Sequence, residues 1–345
     1  MSESRAKTAA APRKINQADI ARRAEVSIST VSRALSGAPG TRPEVRARIL
    51  EIASSMGYSV PEALVSERVA VFLPMHPVTG GLHQVFQENF DGVKDAAAEH
   101  GVDIFPYLMP EADITLDRIR GIMDDHQTRN AICFYADLPD DLSEYFRDEG
   151  TMVIVNNIDP KMRFDAILPD NYSGSAMMTE HVIAAGHRKI AFLVGNLRQN
   201  PKLRLAAFRD VAAAHPEVEA EVINIGYDRE ETAYEHFRRF FATHGKPEWT
   251  AAVCANDLMA LGVLQAAWEA GLKVPDDFSV TGFDNIGWSQ MATPRLTTLD
   301  VDRREMGREA VRMLRRRIAT PDAPVHTVLQ GCTFLAGASV APPAD

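Results

Sequence analysis

Residues 28–35 place hydroxyl side chains and an arginine on one side of a short predicted helix. Val31 and Leu35 are spaced so that both face the protein interior. The side chains left on the opposite face are Ile28, Ser29, Ser32 and Arg33. In a recognition helix, the N-terminal side chains reach base edges in the major groove of DNA. The spacing therefore predicts a DNA-binding helix.

The segment before this helix predicts a second helix and a tight turn. Ile20, Ala21 and Ala24 are spaced to line the inner face of an amphipathic helix. Residues 25–27 then form the turn, and the hydroxyl of Ser27 can cap the following helix. Two helices joined in this way form a helix-turn-helix, and the alternative is a pair of surface helices of an ordinary domain.

A third helix is predicted over residues 43–56. It opens with a proline, its apolar residues recur at helical spacing, and Gly57 ends it. Its apolar face would pack on the helix-turn-helix. Arg42, Arg46 and Arg48 either contact the DNA backbone or form a solvated face.

The charge of the chain is unevenly distributed. The net charge is −10 at pH 7, which by itself argues against a general nucleic-acid binder. Residues 1–65, however, contain ten Lys and Arg against six Asp and Glu, and the remainder contains 27 against 41. A basic head on an acidic body orients the molecule on phosphates and makes binding salt-dependent. Residues 1–13 are expected to be a disordered basic arm.

Other function classes lack their sequence features. Cys133, Cys254 and Cys332 have no paired spacing, so we expect no disulfide, no metal site and no cofactor. The sequence contains no uninterrupted apolar run of about eighteen residues, which a membrane span would need. The N-terminus lacks the apolar region of a secretory signal, so a cytoplasmic location is expected. The sequence contains no GxSxG motif, no metal-spaced histidines and no nucleotide-binding motif. It therefore does not indicate an enzyme, and no catalytic residue is expected.

From residue 68 onward, apolar runs typical of buried strands alternate with helical patterns. This alternation predicts an α/β fold with a doubly wound parallel sheet in each of two successive subdomains. Strands are predicted at 69–73, 103–108, 131–134, 152–155, 190–194, 222–225, 251–254 and 280–283. Helices are predicted at 83–99, 116–125, 142–148, 172–185, 203–214, 232–241 and 258–270. Ligands of such folds bind at the carboxyl ends of the strands, between the two units.

The motifs of the head and the body together resemble one family. The head contains DIA and VSISTVSRAL, and the body contains GHRKIAFLVG, CANDLMALG, TGFDN and TPRLTTLDVD. This combination resembles the LacI/GalR family of bacterial transcriptional regulators. The resemblance implies an N-terminal all-α helix-turn-helix domain at 14–58, a short hinge linker at 59–67 and a periplasmic-binding-protein-like body at 68–340.

The resemblance also implies that the chain crosses between the subdomains three times, near Phe164, Leu296 and Val325. The first subdomain would then contain residues 68–164 and 297–324. The second would contain residues 165–296 and 325–340.

The resemblance assigns roles to the side chains of the recognition helix. Ile28, Ser29 and Arg33 would read bases, Ile28 through apolar contact alone. Contacts to phosphate or sugar would come from Ser27, Thr30 and Ser32.

Two positions in and after the head depart from the family pattern. Glu25 stands where the family usually has a glycine in the turn, so backbone strain is expected. The linker is several residues shorter than usual. Its Leu64 either wedges into the minor groove and kinks the duplex or packs onto the body.

The resemblance carries a candidate effector site into the body. Arg204 would donate hydrogen bonds to a sugar hydroxyl, a carboxylate or a purine edge. Asp284 would accept hydrogen bonds from ligand hydroxyl groups, and Tyr227 would stack on the ligand. Asn256 and Asp257 match the family's Asn-Asp pair after a strand. Such a set of groups suits a polyol. As alternatives, the two aspartates would be helix caps and Tyr227 a core aromatic.

The loop after the first strand of the body departs from the family more clearly. Residues 74–84 replace the family's usual sequence there. His83 and Gln84 open the helix that would face the ligand, so both are candidate effector contacts. His76 is a weaker candidate.

These inferences predict a transcriptional repressor that binds a two-fold-symmetric operator as a homodimer and responds to a sugar-like effector. The dimer surface is expected in the first subdomain, around residues 86–98 and 116–123. The C-terminal residues contain no leucine heptad, so a coiled-coil tetramer is not expected. A solute-binding protein would share the body but would need an export signal and would have no use for a helix-turn-helix.

Overall fold

The structure, a computed structural model, describes residues 15–35, 41–56, 58, 67–75, 86–134, 138–195, 198–227 and 229–343. It divides into two compact units, Met1–Glu67 with Gly101–Asp103, and Arg68–His100 with Ile104–Asp345. We call residues 15–58 the head and those from Arg68 onward the body. Within the described ranges, no helix is both long enough and apolar enough to cross a membrane.

The head contains the three predicted helices. They are α1 Gln17–Ala24, α2 Ile28–Leu35 and α3 Pro43–Ser55. Asn16 caps α1, and its side chain forms a capping box with Asp19. Fully buried side chains from all three helices form the core of the head: Ile20, Val31, Ile49 and Ala53. The structure confirms the predicted helix-turn-helix and its third supporting helix.

The body alternates strands and helices along most of its length. The strands are β1 Arg68–Pro74, β2 Asp103–Met109, β3 Asn130–Cys133, β4 Thr151–Val155, β5 Asp165–Pro169, β6 Lys189–Val194, β7 Glu219–Asn224, β8 Ala251–Cys254, β9 Ser279–Thr281, β10 Thr298–Asp300, β11 Thr327–Gln330 and β12 Thr333–Leu335. The helices are α4 Gln87–His100, α5 Leu116–Asp125, α6 Asp140–Glu149, α7 Asn171–Ala184, α8 Gln199–Ala214, α9 Glu230–His244, α10 Asp257–Glu269, α11 Gly287–Met291 and α12 Arg303–Ala319.

The strands form two main sheets, one in each subdomain. The first sheet has the order β11-β5-β4-β3-β1-β2, and the second has the order β7-β6-β8-β9. Neighbouring strands run parallel, as in the pairs Ala70–Ala131 and Phe192–Val253. β10 and β12 form a separate antiparallel pair. Two parallel sheets flanked by helices confirm the predicted fold class.

β5 and β11 fall within the predicted second subdomain, but the structure places both in the first sheet. β5 pairs with β4 and β11, so both β5 and β11 belong to the first sheet. The expected crossovers near Phe164 and Val325 are therefore wrong, and the chain leaves the first sheet after Pro169 and again after Gln330. An apolar run indicates that a strand is buried, but its pairing partner is distant in sequence and leaves no local signal.

The return to the first subdomain also comes later than expected near Leu296. Thr298–Asp300 pairs with β12, and isolated bridges join Thr281 to Thr297 and Asp284 to Asp300. Residues 297–300 therefore lie beside the second sheet. α12, which follows them, packs on β4 and β5 of the first sheet.

α4 and α12 of the first subdomain pack together with unusually close backbones. A Cβ atom on Gly307 would lie 1.9 Å from the carbonyl oxygen of Asn89, and one on Gly92 would lie 1.9 Å from that of Arg304. Each glycine therefore faces the backbone of the opposite helix, with no room for a larger side chain. We call these two helices the α4–α12 pair.

Candidate functional site

The predicted recognition face of α2 is open to solvent. Ile28 is 54% exposed, and Ser29, Ser32 and Arg33 are also exposed. Val31 and Leu35 are buried on the other side of the helix, as the spacing predicts. Arg42 is exposed immediately before α3. These side chains are therefore accessible from solvent, as contact with a DNA groove would require.

Hydroxyl groups at the start of α2 are hydrogen-bonded to one another. The Oγ atom of Ser27 lies 2.8 Å from the Oγ of Ser29 and 2.7 Å from the Oγ1 of Thr30. It also accepts the backbone N–H of Thr30, which makes it the expected cap of α2. Arg33 donates its Nε–H to the carbonyl of Ser29. These contacts order the polar groups in advance of any phosphate contact.

The turn between α1 and α2 has the strain that its sequence predicts. Glu25 has a φ of 55°, in the left-handed region that favours glycine. Its N–H nevertheless bonds to the carbonyl of Ala21 and closes α1. Leu64, His76, His83 and Gln84 lie outside the described residues. The helix predicted from His83 is described from Gln87 onward.

Arg204 is the centre of the candidate effector site in the body. It lies in the second turn of α8 and is 6% exposed. Its Nε–H donates to the side chain of Asn171 at 2.8 Å, and Nη1 donates to the carbonyl of Ala255. Its Nη2 lies 3.4 Å from the carboxylate of Asp284. These partners fix the guanidinium in one orientation.

An aromatic ring supports the same guanidinium. The central carbon of the Arg204 guanidinium lies 3.5 Å from the ring centre of Phe283. Phe283, Ala255 and Asn171 follow β9, β8 and β5, each at the carboxyl end of its strand. β8 and β9 belong to the second sheet and β5 to the first, and α/β folds bind ligands at the carboxyl ends of such parallel strands. Asn171 and Phe283 were absent from the sequence prediction, although each adjoins a predicted element.

Asp284 sits in a turn with an unusual backbone. Its φ is 115°, and that of Asn285 is 51°. The N–H of Asp284 bonds to the carbonyl of Leu299, and its own carbonyl accepts a hydrogen bond from Arg303. Strained backbone at non-glycine residues is concentrated at functional sites. The turn directs the carboxylate of Asp284 towards Arg204.

Asn256 and Asp257 have roles inside the second subdomain. Asn256 caps α10 by accepting the N–H of Met259 at 2.8 Å, so the cap is Asn256 and not the alternative Asp257. Asp257 is 0% exposed, and its carboxylate accepts the N–H of Ile286 and the hydroxyl of Thr298. Burial, together with the nearby Asp284 carboxylate, raises the pKa of Asp257 to about 6. This carboxylate holds the 284–286 turn and is closed to solvent.

Tyr227 follows β7 and is largely exposed. Its side chain is 62% exposed, and its ring centre lies 5.7 Å from the guanidinium carbon of Arg229. The alternative of a core aromatic is therefore wrong. The ring is open to stacking, although the structure gives it no contact with Arg204.

Two contacts near the start of α8 join the two subdomains. The side-chain amide of Asn200 in α8 donates to the carbonyl of Asn156, which follows β4 and has a φ of 60°. Arg198, before α8, forms an ion pair with Glu111 at 2.7 Å. Sequence reasoning missed these residues, because polar side chains in loops have no periodic signal. Among the described residues, no group of three or more His, Cys, Asp or Glu is arranged to hold a metal ion.

Comparisons with known proteins agree with both parts of the chain. Residues 17–60 match the family of bacterial regulatory proteins named lacI, and residues 179–340 match a periplasmic-binding-protein-like domain. An HTH-type transcriptional regulator from the aml 5′ region of Streptomyces limosus is 31% identical over 92% of this chain and 90% of its own length. The HTH-type transcriptional repressor PurR of Mannheimia succiniciproducens is 28% identical over 90% of this chain and 94% of its own length.

Solved structures share the fold across both units. The lac repressor dimer bound to operator and the anti-inducer ONPF has a TM-score of 0.69 and 21% identity, and the similarity covers 95% of this chain and all of that one. The complex of the regulator CelR with cellobiose has a TM-score of 0.69 and 22% identity, over 94% of this chain and all of that one. Together with the relative at 31% identity, these matches show that the chain belongs to the LacI family and is a DNA-binding transcriptional regulator, not an enzyme.

Proposed function

We propose that the protein is a cytoplasmic repressor that binds a two-fold-symmetric operator as a homodimer and releases or tightens it when a sugar-like effector binds between the subdomains. Similar proteins support the repressor, the dimer and the sugar-like effector of this proposal. PurR is named a repressor, and the lac repressor is a dimer on its operator. Two structural neighbours contain cellobiose and ribose.

The observation that carries the effector proposal is the arrangement around Arg204. A guanidinium and the carboxylate acceptor of Asp284 converge beside the carboxyl ends of β8 and β9, and the side-chain amide of Asn171 holds the guanidinium in place. The ring of Phe283 packs against the guanidinium, and the exposed ring of Tyr227 can supply an apolar face. Planar donors, an acceptor and an apolar face are the groups that orient a polyol in a pocket.

The proposed effector contacts are revised by this geometry. Arg204, Asp284 and Tyr227 remain contacts, together with His83 and Gln84 from the first subdomain. Asn256 and Asp257 become positioning residues, because Asn256 caps α10 and the carboxylate of Asp257 is fully enclosed.

An exposed apolar surface on the second subdomain supports the homodimer. α10 and α11 border a groove of about 650 Å³. Its exposed large side chains are Trp268, Trp288 and Met291, at 78%, 55% and 69% exposure. Apolar groups clustered in this way usually mark a protein interface. We propose that this surface joins the dimer interface, in addition to the helices expected in the first subdomain.

A ligand screen tests the effector proposal. The full-length protein is heated with sugars, sugar acids, polyols, sugar phosphates and purines, and the shift in melting temperature is measured. A ligand at a hundred times its Kd stabilises the folded state by about 2.7 kcal/mol, which is readily detected. We expect a hit from the polyhydroxylated compounds.

Variants locate the hit. Arg204→Lys keeps the charge but loses the planar fork, so we expect at least roughly tenfold weaker effector binding with unchanged operator affinity. Arg204→Ala and Asp284→Ala should abolish the effector response. An effector titration that is the same in Arg204→Lys and the parent protein would contradict the assigned site. Binding that changes operator affinity by about 1–3 kcal/mol would match typical allosteric coupling.

A further inference from the structure

Arg303 is a buried arginine whose side chain extends away from its own helix. It is the first residue of α12 and is 5% exposed. Its guanidinium donates to the backbone carbonyls of Asp284 and Asn285 in the second subdomain. It also forms an ion pair with Glu88 of α4, at 3.0 Å. Burying a guanidinium is costly unless acceptors surround it, so this set of three partners defines a specific arrangement.

The turn that Arg303 contacts needs support from outside. Asp284 and Asn285 are consecutive non-glycine residues with φ values of 115° and 51°. Such a backbone persists only where its surroundings hold it. Two carbonyls of the turn point to one guanidinium, while the carboxylate of Asp284 lies 3.4 Å from Nη2 of Arg204. The position of Asp284, a proposed effector contact, therefore depends on the turn.

The element from which Arg303 extends is rigid. In the α4–α12 pair, Gly92 and Gly307 allow direct backbone contact. The side-chain amide of Asn89 donates to the carbonyl of Arg303 at 3.1 Å. Arg308, further along α12, bonds to Asp95 of α4 at 2.8 Å. We therefore expect α4 and the start of α12 to move together.

We propose that Arg303 is a positioning residue of the effector site, which holds the Asp284–Asn285 turn and links it to the α4–α12 pair of the first subdomain. This inference rests on the proposed role of Arg204 and Asp284 as effector contacts. The guanidinium passes a change at Asp284 to α4, since the same fork bonds to the turn and to Glu88. Lysine cannot replace it, because an ammonium group lacks the planar fork that reaches several acceptors at once.

Hydrogen exchange of the full-length protein, without DNA or effector, tests the proposal. In Arg303→Lys we expect exchange of the Asp284 and Ile286 amides to rise roughly tenfold, because an ammonium group cannot reach both carbonyls of the turn and Glu88 at once. Exchange in the α4–α12 pair and the melting temperature should stay close to those of the parent. Glu88→Gln, a milder change at an exposed side chain, should raise exchange at the same amides by a smaller factor.

Arg308→Lys is the matched control, since it makes the same substitution in the same helix at a residue that bonds to Asp95 and Glu99. It should leave the turn unchanged. Equal exchange at Asp284 in Arg303→Lys and the parent would overturn the proposal. A uniform rise across the body, in step with a lower melting temperature, would also overturn it, since Arg303 would then only stabilise the fold. Neither result depends on whether a ligand is found, so the failure of the effector proposal remains distinguishable.

Discussion

At the scale of single residues, Ile28 offers DNA an apolar contact and no hydrogen bond. It is more than half exposed at the start of α2, beside the hydroxyl groups of Ser27 and Ser29. A side chain of this type discriminates through the thymine methyl group, whereas hydroxyls and arginines also bind phosphate. We therefore expect specificity and affinity to be separable in this head.

Substitution of Ile28 by alanine should change base preference more than overall affinity. We expect discrimination between the operator and a single-base variant to fall by about 1 kcal/mol, or roughly fivefold. Competition binding with the operator and the single-base variant measures this. Arg42→Ala is the control, because loss of a phosphate contact should weaken both sites equally and lower the salt slope by about one. Equal weakening of both sites by Ile28→Ala would refute the reading role.

At the scale of elements, the α4–α12 pair depends on two glycines. A Cβ atom on Gly307 meets the backbone oxygen of Asn89 at 1.9 Å, which neither helix can relieve by a rotamer change. Gly307→Ala should therefore destabilise the body by roughly 2–3 kcal/mol through overpacking. Urea unfolding of the parent and variant measures the difference.

Gly121→Ala in α5 is the matched control for Gly307→Ala. A Cβ atom there meets nothing within 4 Å. Alanine has a lower backbone entropy cost than glycine in a helix, so this variant should gain about 0.5–1 kcal/mol. If both variants lost equal stability, the close contact between α4 and α12 would not be the cause.

The C-terminal segment is held to the second sheet by a buried histidine. His187 is 1% exposed, and its ring nitrogens lie 2.9 Å from the hydroxyl of Thr250 and from the carbonyl of Ala341. Burial lowers the pKa of His187 below its usual value of 6.5. The unfolded chain therefore takes up a proton before the folded protein does.

Stability should consequently fall as the pH drops below about 6.5, the pKa of an unperturbed histidine. Above that pH the contribution of His187 is complete. His187→Gln removes this dependence, so the stability difference between parent and variant should shrink between pH 7 and pH 5. Thermal unfolding across that range measures it, and His100→Gln at an exposed position is the control. A constant difference would show that burial of the neutral ring is not the cause.

At the scale of the whole molecule, the proposed homodimer would bring two heads to two operator half-sites. Met291 lies in the proposed dimer surface and is 69% exposed. A carboxylate there would lose its hydration in the interface, so Met291→Glu should raise the dimer dissociation constant at least roughly tenfold and weaken operator binding with it. Analytical ultracentrifugation measures the first effect.

Met162→Glu provides the matched control, since Met162 is 75% exposed in the first subdomain, outside the proposed surface. It should leave the dimer intact. A monomeric parent protein would contradict the homodimer itself, whereas an intact Met291→Glu dimer would contradict only the position of its interface.

The sequence by itself determined the local features of this protein. Helical spacing and capping residues specified α1, α2 and α3, and apolar runs located most strands of the body, because periodicity and capping are properties of neighbouring residues. The family motifs located Arg204 and Asp284. Glu25 was correctly expected to be strained, since a turn requires a left-handed residue at that position.

Only the tertiary structure decided the relations between distant segments. It assigned β5 and β11 to the first sheet, because strand pairing depends on partners far apart in sequence. It enclosed Asp257 within the fold and exposed Tyr227, since burial depends on what packs around a side chain. It also brought Glu88, Asp284 and Arg303 together from three separate segments, which no local pattern could have shown.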